Sequence, residues 1–450
     1  MADAKHNNSN EVGFYAEHLS EVNEVKNVIA TEDICNEQGA ILIKAGTAIS
    51  HETTKRIINF KLTKPIEASI AIDNDIDGTA LYKNINKIIS DNEALLEIHK
   101  KIELDTTLKK LCSYYEKLPT LRQKMTVLSI QMQRNYTQSL LSAWVALLIT
   151  KQLEMTILEI EPIFIASLTH DIGMLHIDKT VLNKKETLTA DEWRQIKAHP
   201  IIGQNIINAI PSLPETVGIA ILEHHERNDG TGYPAGKFSR ELSAAGSIVA
   251  LADSSVAVLE RLRKNGRNLR DLIPILQINQ KAHDYQVYEA LLLSLKRSDL
   301  NQQGIIRNKD MPEYINKQLS SISLLSSWID VIDRSLNPIG FTHKNRKIHA
   351  MQSVFINVAI TITGSGILNE SYSQFLEQAK TEKSVSEFRE IEDVSLMLNE
   401  VHFHLDRLVT MMREYVDLEA NVTGDISTAF AKAIDEITAI KSEYKGSDFA

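Results

Sequence analysis

The sequence predicts a mainly α-helical protein with a small α/β module near its N-terminus and a helical region at its C-terminal end. Three observations carry this expectation. From Asn84 onward, apolar residues recur at steps of three and four, through Ile88, Leu95, Leu96, Ile98 and Ile102 and again from Val127 to Leu153, which is the period of one helix face. Turn and strand signals gather early, where Asn36-Glu37-Gln38-Gly39 and Lys44-Ala45-Gly46 bracket the short apolar run Ala40 to Ile43. Late in the chain Val394, Leu398, Val401, Leu405, Leu408, Met412 and Tyr415 form a heptad-like seam.

At 450 residues the chain has room for several cores, and its 43% hydrophobic and 24% charged content is that of a soluble globular protein. Met1 to Asn10 is polar and carries no secretory signature. The longest apolar runs, such as Ala143 to Ile149, fall short of the ~20 residues a bilayer span needs, so no membrane span is expected. Cys35 and Cys112 form neither a ligand pair nor a disulfide framework, which suits a reducing cytoplasm and small buried fillers. A net charge of −10 argues against DNA or an anionic membrane as partner. A phosphate-bearing substrate would need a local cation to reverse that field.

Taken in order, residues 1–20 read as a mobile leader. Ala40 to Ile43 reads as a strand and Thr53 to Phe60 as a short helix, completing a small α/β module over 21–80. Asp73-Asn74-Asp75-Ile76-Asp77-Gly78 imitates the start of a calcium loop, but Asn84 stands at the twelfth position and the stretch reads as an acidic linker. Residues 81–124 read as a helical linker. Pro162 suits a first helical turn and opens a helix through Thr169 that delivers His170-Asp171. Thr189 and Glu192 form a capping box for a helix running to His199, which Pro200 should end or kink. Glu215 to His225 and Leu242 to Arg263 read as further helices, the second carrying Asp253. Gly424-Asp425 separates the seam helix from a last amphipathic one, Ile426 to Ile440. The seam suits an intramolecular bundle better than a dimer coil, because three heptads are few; a homodimer or signalling partner is the other use of such a surface.

The segment His170 to Asp253 gathers His170, Asp171, His199, His224, His225 and Asp253 at spacings that core building does not require. Singly, each has an ordinary explanation: His199 as a half-buried histidine, His224-His225 as a pair meeting a helix C-terminus. Asp253 is harder to dismiss, since an unpaired carboxylate in an apolar helix is costly. Imidazole with carboxylate suits borderline divalent metals, and the lack of thiolate argues against a structural zinc site. A carboxylate can bridge two ions, which makes Asp171 the natural bridge, with His199, His224 and His225 completing one position and His170 and Asp253 the other. Two such ions favour phosphodiester hydrolysis and give an acidic protein an anion trap.

His170-Asp171-Ile172-Gly173, His224-His225-Glu226 and Asp229-Gly230-Thr231-Gly232-Tyr233-Pro234, in this order, resemble the HD-GYP family, a branch of the HD superfamily. The resemblance covers roughly 125–285, ahead of a helical region over 300–450. It implies an all-helical domain with a di- or trinuclear centre, commonly iron or manganese, hydrolysing cyclic di-GMP to the linear dinucleotide or GMP. By resemblance His170, Asp171, His199, His224, His225 and Asp253 are metal ligands, His170, Asp171 and Asp253 serve catalysis, and Gly232, Tyr233 and Pro234 shape the substrate's surroundings. Gly230 and Gly232 permit positive φ and Pro234 stiffens the loop's exit. Glu226 is expected to orient a ligand histidine, and Arg261 or Arg263 to reach a phosphate.

The sequence departs from the family pattern at two places that matter. Met174 stands where a lysine usually follows the HD motif, and Gln138 where an upstream histidine is usual; Arg134 falls where a third-metal carboxylate is common. One metal position is therefore fully furnished and the other weak. His176, off the pattern, reads as an exposed loop histidine. His402 and His404 point about 200° apart on one helix and cannot share a metal, and Gly364-Ser365-Gly366 reads as a turn. The sequence thus supports a cytoplasmic metal-dependent phosphodiesterase acting on cyclic di-GMP or a related cyclic dinucleotide. Its alternative is a degenerate relative that binds a nucleotide or a protein without turnover.

Overall fold

The computed structural model describes residues 8–297, 304–307, 310–340, 343–380, 385–418 and 424–444. They divide into two units, one of Met1–His225 with Ser243–Ala257 and one of Glu226–Leu242 with Val258–Ala450.

The first unit opens with a correction. Of the leader expected over 1–20, residues 1–7 lie outside the described residues and 8–20 belong to the helix Asn8–Val22, because Tyr15, Leu19 and Val22 recur on one face and are completely buried. Each such side chain contributes roughly 2 kcal/mol by leaving water. The strands Val28–Ala30 and Ile70–Ile72 pair antiparallel, Val28 opposite Ile72, and Ile34–Cys35 pairs with Ile41–Ile43. The helix His51–Ile57 starts two residues before the predicted one because Ser50 and Thr53 form a capping box. The acidic stretch 73–78 binds protein groups: Asp75 accepts from Arg122 at 2.6 Å, Asp73 accepts from Asn27 at 3.1 Å, and Asp77 caps the helix Gly78–Ser90.

Residues 81–124 form no linker. Leu81, Ile85, Leu95, Ile98, Leu108 and Leu111 are buried, so the helices Gly78–Ser90, Glu93–Lys101 and Asp105–Tyr115 belong to the body of the unit. The predicted run Val127 to Leu153 is two helices, Pro119–Gln131 and Gln133–Gln152, broken at Met132. Pro162 lies inside the helix Ile157–Thr169, which Thr156 and Glu159 cap a turn earlier than Pro162 could. The 190s helix ends at Ile196; His199 begins the next one, His199–Asn208, where Pro200 occupies the first turn. A proline there loses no hydrogen bond, since the first-turn N–H groups have no partner within the helix. Glu215–Glu223 and Ala244–Lys264 follow, the latter running on into the second unit.

The second unit is a helical bundle built on Met311–Leu336, Arg346–Ser365, Val385–Leu418 and Asp425–Glu443. The seam residues Leu398, Val401, Leu405, Leu408, Met412 and Tyr415 are buried against Trp328, Ile332, Phe355, Phe430 and Ile437 of the same chain, so this seam serves an intramolecular core. His402 lies 3.4 Å from Asp406, and His404 contacts Asn279 at 2.8 Å; the two rings take separate partners. Among the described residues no single helix is long and apolar enough to cross a membrane.

Candidate metal centre

Three of the central histidines are placed by the same local device. His170 and His224 stand at the C-caps of their helices and His199 just beyond the end of Ala190–Ile196, where helical carbonyls lack partners. Each ring turns back onto such a carbonyl: His170 Nδ1 lies 2.9 Å from Ser167 O, His199 Nδ1 2.7 Å from Ile196 O, and His224 Nδ1 2.5 Å from Ile221 O. A carbonyl can only accept, so Nδ1 carries the proton in all three. The helix ends are thereby satisfied, and every Nε2 is aimed away from its own backbone.

The Nε2 atoms converge on two carboxylates. Asp171 lies 3.4 Å from His199 Nε2 through Oδ1 and 3.7 Å from His170 Nε2 through Oδ2. Asp253 lies 3.4 Å from His170 Nε2 through Oδ1 and 3.7 Å from His225 Nδ1 through Oδ2. The structure thus gathers His170, Asp171, His199, His224, His225 and Asp253 in the first unit. The donors of His199, His224 and His225 lie within 4.8 Å of one another, and so do those of His170, Asp171 and His224. His224 therefore joins both groups, where the sequence assigns it to one.

Electrostatics separates these side chains. Burial, with the neighbouring His225, His170 and His199, pushes the His224 ring well below its ordinary pKa, and burial likewise lowers His199. Both stay neutral at pH 7. Burial also works against a charged His170, but Asp171 and Asp253 outweigh it and push that ring up to about 9. Asp171 is buried, which alone would raise its pKa; His170, His199 and His224 together with a hydrogen bond from Asn135 hold it below the usual carboxylate range.

A divalent cation fits this donor set. His199 Nε2 and His224 Nε2 lie 3.1 Å apart with both Nδ1 protons already assigned, so two lone pairs face each other in a buried site. Such an arrangement is repulsive unless a cation is shared between the nitrogens. His199, His224 and His225 would hold one ion, and His170, Asp171 and His224, with Asp253 close by, a second.

Sequence reasoning missed Asn135. Its amide donates to Asp171 Oδ2 at 2.8 Å, from a helix face it shares with Gln138 one turn along. The spacing that singled out Gln138 would have found it had the neighbouring turn been read as well. His176 is buried, not exposed: Nε2 lies 2.8 Å from Lys124 Nζ and the ring stacks on Tyr15 with centroids 5.0 Å apart. Its partner at Lys124 is 52 residues away, beyond any local pattern. Glu223 was also missed; its Oε2 accepts from Ser243 N at 2.9 Å and Ser243 Oγ at 2.6 Å, tying the end of one ligand-bearing helix to the start of another.

The loop residues belong to the second unit. Gly232 does not take positive φ; Gly230 (+76°) and Gly236 (+63°) do, and a Cβ on Gly230 would meet the Phe238 ring at 2.4 Å. Arg407 holds the loop by donating to Thr231 O at 2.6 Å, next to Gly232-Tyr233-Pro234. Glu226 is committed to the loop rather than to a ligand histidine, its oxygens accepting from Ala235 N at 2.7 Å and Lys237 N at 2.8 Å. Arg261 pairs with Glu400 at 2.8 Å, while burial lowers the pKa of Arg263.

The HD domain family matches residues 116–287. A cyclic di-GMP phosphodiesterase of Thermotoga maritima is 36% identical over 33% of this chain and 41% of its own length. A cyclic di-GMP phosphodiesterase of Borreliella burgdorferi is 29% identical over 38% of this chain and 46% of its own. A 3'3'-cGAMP-specific phosphodiesterase of Vibrio cholerae is 36% identical over 20% of this chain and 19% of its own. The chain spans less than half the length of each of these relatives.

Proposed function

Starting from the place of this chain in the HD-GYP branch of the HD domain family, carried by residues 116–287, we propose that it is a metal-dependent phosphodiesterase acting on a cyclic dinucleotide of the cyclic di-GMP type. The observation that carries this is the 3.1 Å approach of two neutral imidazole nitrogens beside Asp171. Divalent ions bound there, iron or manganese by family resemblance, would acidify a water and offset charge on a phosphoryl oxygen. The chain's part is to hold and orient. Asp171 presents one oxygen to His199 and one to His170, and backbone carbonyls take the Nδ1 side of His170, His199 and His224, which turns each Nε2 toward the cluster. His170, Asp171 and Asp253 are the catalytic candidates. Gly232, Tyr233, Pro234, Arg261 and Arg263 remain candidates for substrate contact, Arg261 only by releasing Glu400.

Asn135 favours a second reading, a protein that binds nucleotide or partner without turnover. Its amide occupies Asp171 Oδ2, the oxygen nearer His170, and Gln138 and Met174 stand where the family usually places a histidine and a lysine. Incubation of the manganese- or iron(II)-loaded chain with cyclic di-GMP and with 3'3'-cGAMP, read by chromatography beside a metal count, decides between them. Linear product with close to two ions per chain is the expected result. Bound metal with no product from either nucleotide would leave the second reading standing.

A further inference from the structure

The first unit contains a cavity of about 510 Å³ that none of the six clustered ligands lines. Its wall is largely apolar, through Leu62, Pro65, Ile66, Ile202, Ile206 and Ile210, and Phe60 stands beside them 43% exposed. A concave apolar chamber of this size suits a small molecule.

The charged groups on the wall are unevenly placed. Glu67 is neutralised from behind: its carboxylate bonds Lys124, a fully buried ammonium that also contacts His176 Nε2 at 2.8 Å and lies 3.2 Å from the centre of the Tyr15 ring. Lys61 and Lys64 also line the chamber and are 68% and 59% exposed. Their pairs with Glu37 at 2.6 Å and Glu32 at 2.8 Å are surface pairs of little net strength, so either lysine can turn to an incoming anion, while Glu67 is held by a buried partner. An apolar body with one anionic head matches that pattern.

Two of the bordering elements also lead to the metal centre. His176 ends the turn Ile172–His176, which follows directly on Asp171, while Ile202 and Ile206 belong to the helix that His199 begins. The turn and the helix are in backbone contact, since a Cβ on Gly173 would lie 2.1 Å from His199 O and 2.9 Å from Gly203 N. Packed elements of that kind shift together rather than separately.

We propose that this cavity binds a small amphipathic anion, a medium-chain carboxylate in its simplest form, and that the occupant is felt at the metal centre through the Ile172–His176 turn and the His199–Asn208 helix. Only the second half rests on the metal reading of the site.

Calorimetric titration of the full chain with decanoate, below its micellar concentration, tests the first half; decanol and decyltrimethylammonium serve as matched neutral and cationic probes. The expected result is one decanoate per chain, bound more tightly than either matched probe. Ile206→Trp and Ala209→Trp, which fill the chamber from partly exposed positions, weaken it at least about tenfold. Lys61→Glu with Lys64→Glu removes the preference for the anion. No binding at millimolar decanoate, or unchanged binding in both filled variants, overturns the site; equal binding of the cation overturns its sign. The second half is read as a shift of at least about threefold in manganese affinity on adding decanoate, absent in Ile206→Trp. Decanoate binding with unchanged manganese affinity overturns the coupling alone. Neither readout is turnover, so a failed phosphodiesterase assay leaves both standing.

Discussion

Each unit buries a cluster of charged and polar groups, and the two clusters are balanced differently. In the second unit Asp271, Glu392 and Asp393 meet Arg267, Arg270 and Arg389, with Arg389 2.5 Å from Asp271 and 3.1 Å from Asp393, and Arg267 3.3 Å from Glu392. Glu392 accepts two further backbone N–H groups, from Ile305 and Ile306. Acids and bases cancel without help from outside. In the first unit two carboxylates face four imidazoles, of which His199 and His224 are held neutral, and the lone pairs point at one another. A cluster that cancels itself holds a fold together; one that does not is shaped for a guest.

That contrast can be broken at either end. The largest effect is expected from Asp271→Ala, which leaves Arg389 only Asp393 and Arg267 only Glu392 in the second unit and should cost about 3 kcal/mol in urea unfolding while leaving manganese affinity alone. A cost below about 1 kcal/mol would mean the lattice is not what holds that unit. Next comes His199→Ala, which should weaken manganese binding about a hundredfold, or about 2.7 kcal/mol, and barely change the unfolding of metal-free protein. If the metal-free variant loses as much stability as Asp271→Ala, the histidine cluster is structural and the contrast collapses.

The smallest effect concerns Lys124, an intermediate case. Burial takes its pKa from the usual 10.5 to about 8, against the pull of Glu67. The unfolded chain holds this proton to higher pH than the folded one, so the charged lysine penalises folding below pH 8 and the penalty is lifted as pH rises from 8 to 10.5. Wild type should gain stability over that window relative to a Lys124→Met, Glu67→Gln variant, measured by urea unfolding at each pH. A flat difference would show that the Lys124 ammonium is better solvated than its burial suggests.

The sequence made much of this legible and left some of it dark for identifiable reasons. Helical periodicity and the heptad-like seam anticipated the bundle, since both are local patterns that burial enforces. The six clustered side chains stood out because paired histidines and a carboxylate amid apolar residues have few cheap explanations. Position within an element was less readable: proline serves both to stop a helix and to start one, and at Pro200 and Pro162 the pattern could not say which. The burial of His176 depends on Lys124 and Tyr15, and that of the first helix on elements far along the chain, so neither had a local signature. The task of Glu226 was misread because a carboxylate beside two histidines and a carboxylate beside a glycine-rich loop are the same residue here.

Glu223 and Ser243 give the central segment a property of a different order. Their hydrogen bonds clasp the chain where it leaves the first unit after His225 and where it returns before Asp253, and a Cβ on Gly246 would strike the same carboxylate at 2.1 Å. The stretch between them is tied within itself where Glu226 accepts from Ala235 N and Lys237 N, and to the helix Val385–Leu418 where Arg407 donates to Thr231 O. Lengthening such a stretch costs little, about 0.6 kcal/mol for each doubling. The clasp thus holds the helices that carry Glu223 and Asp253 together from outside the loop that follows the paired histidines.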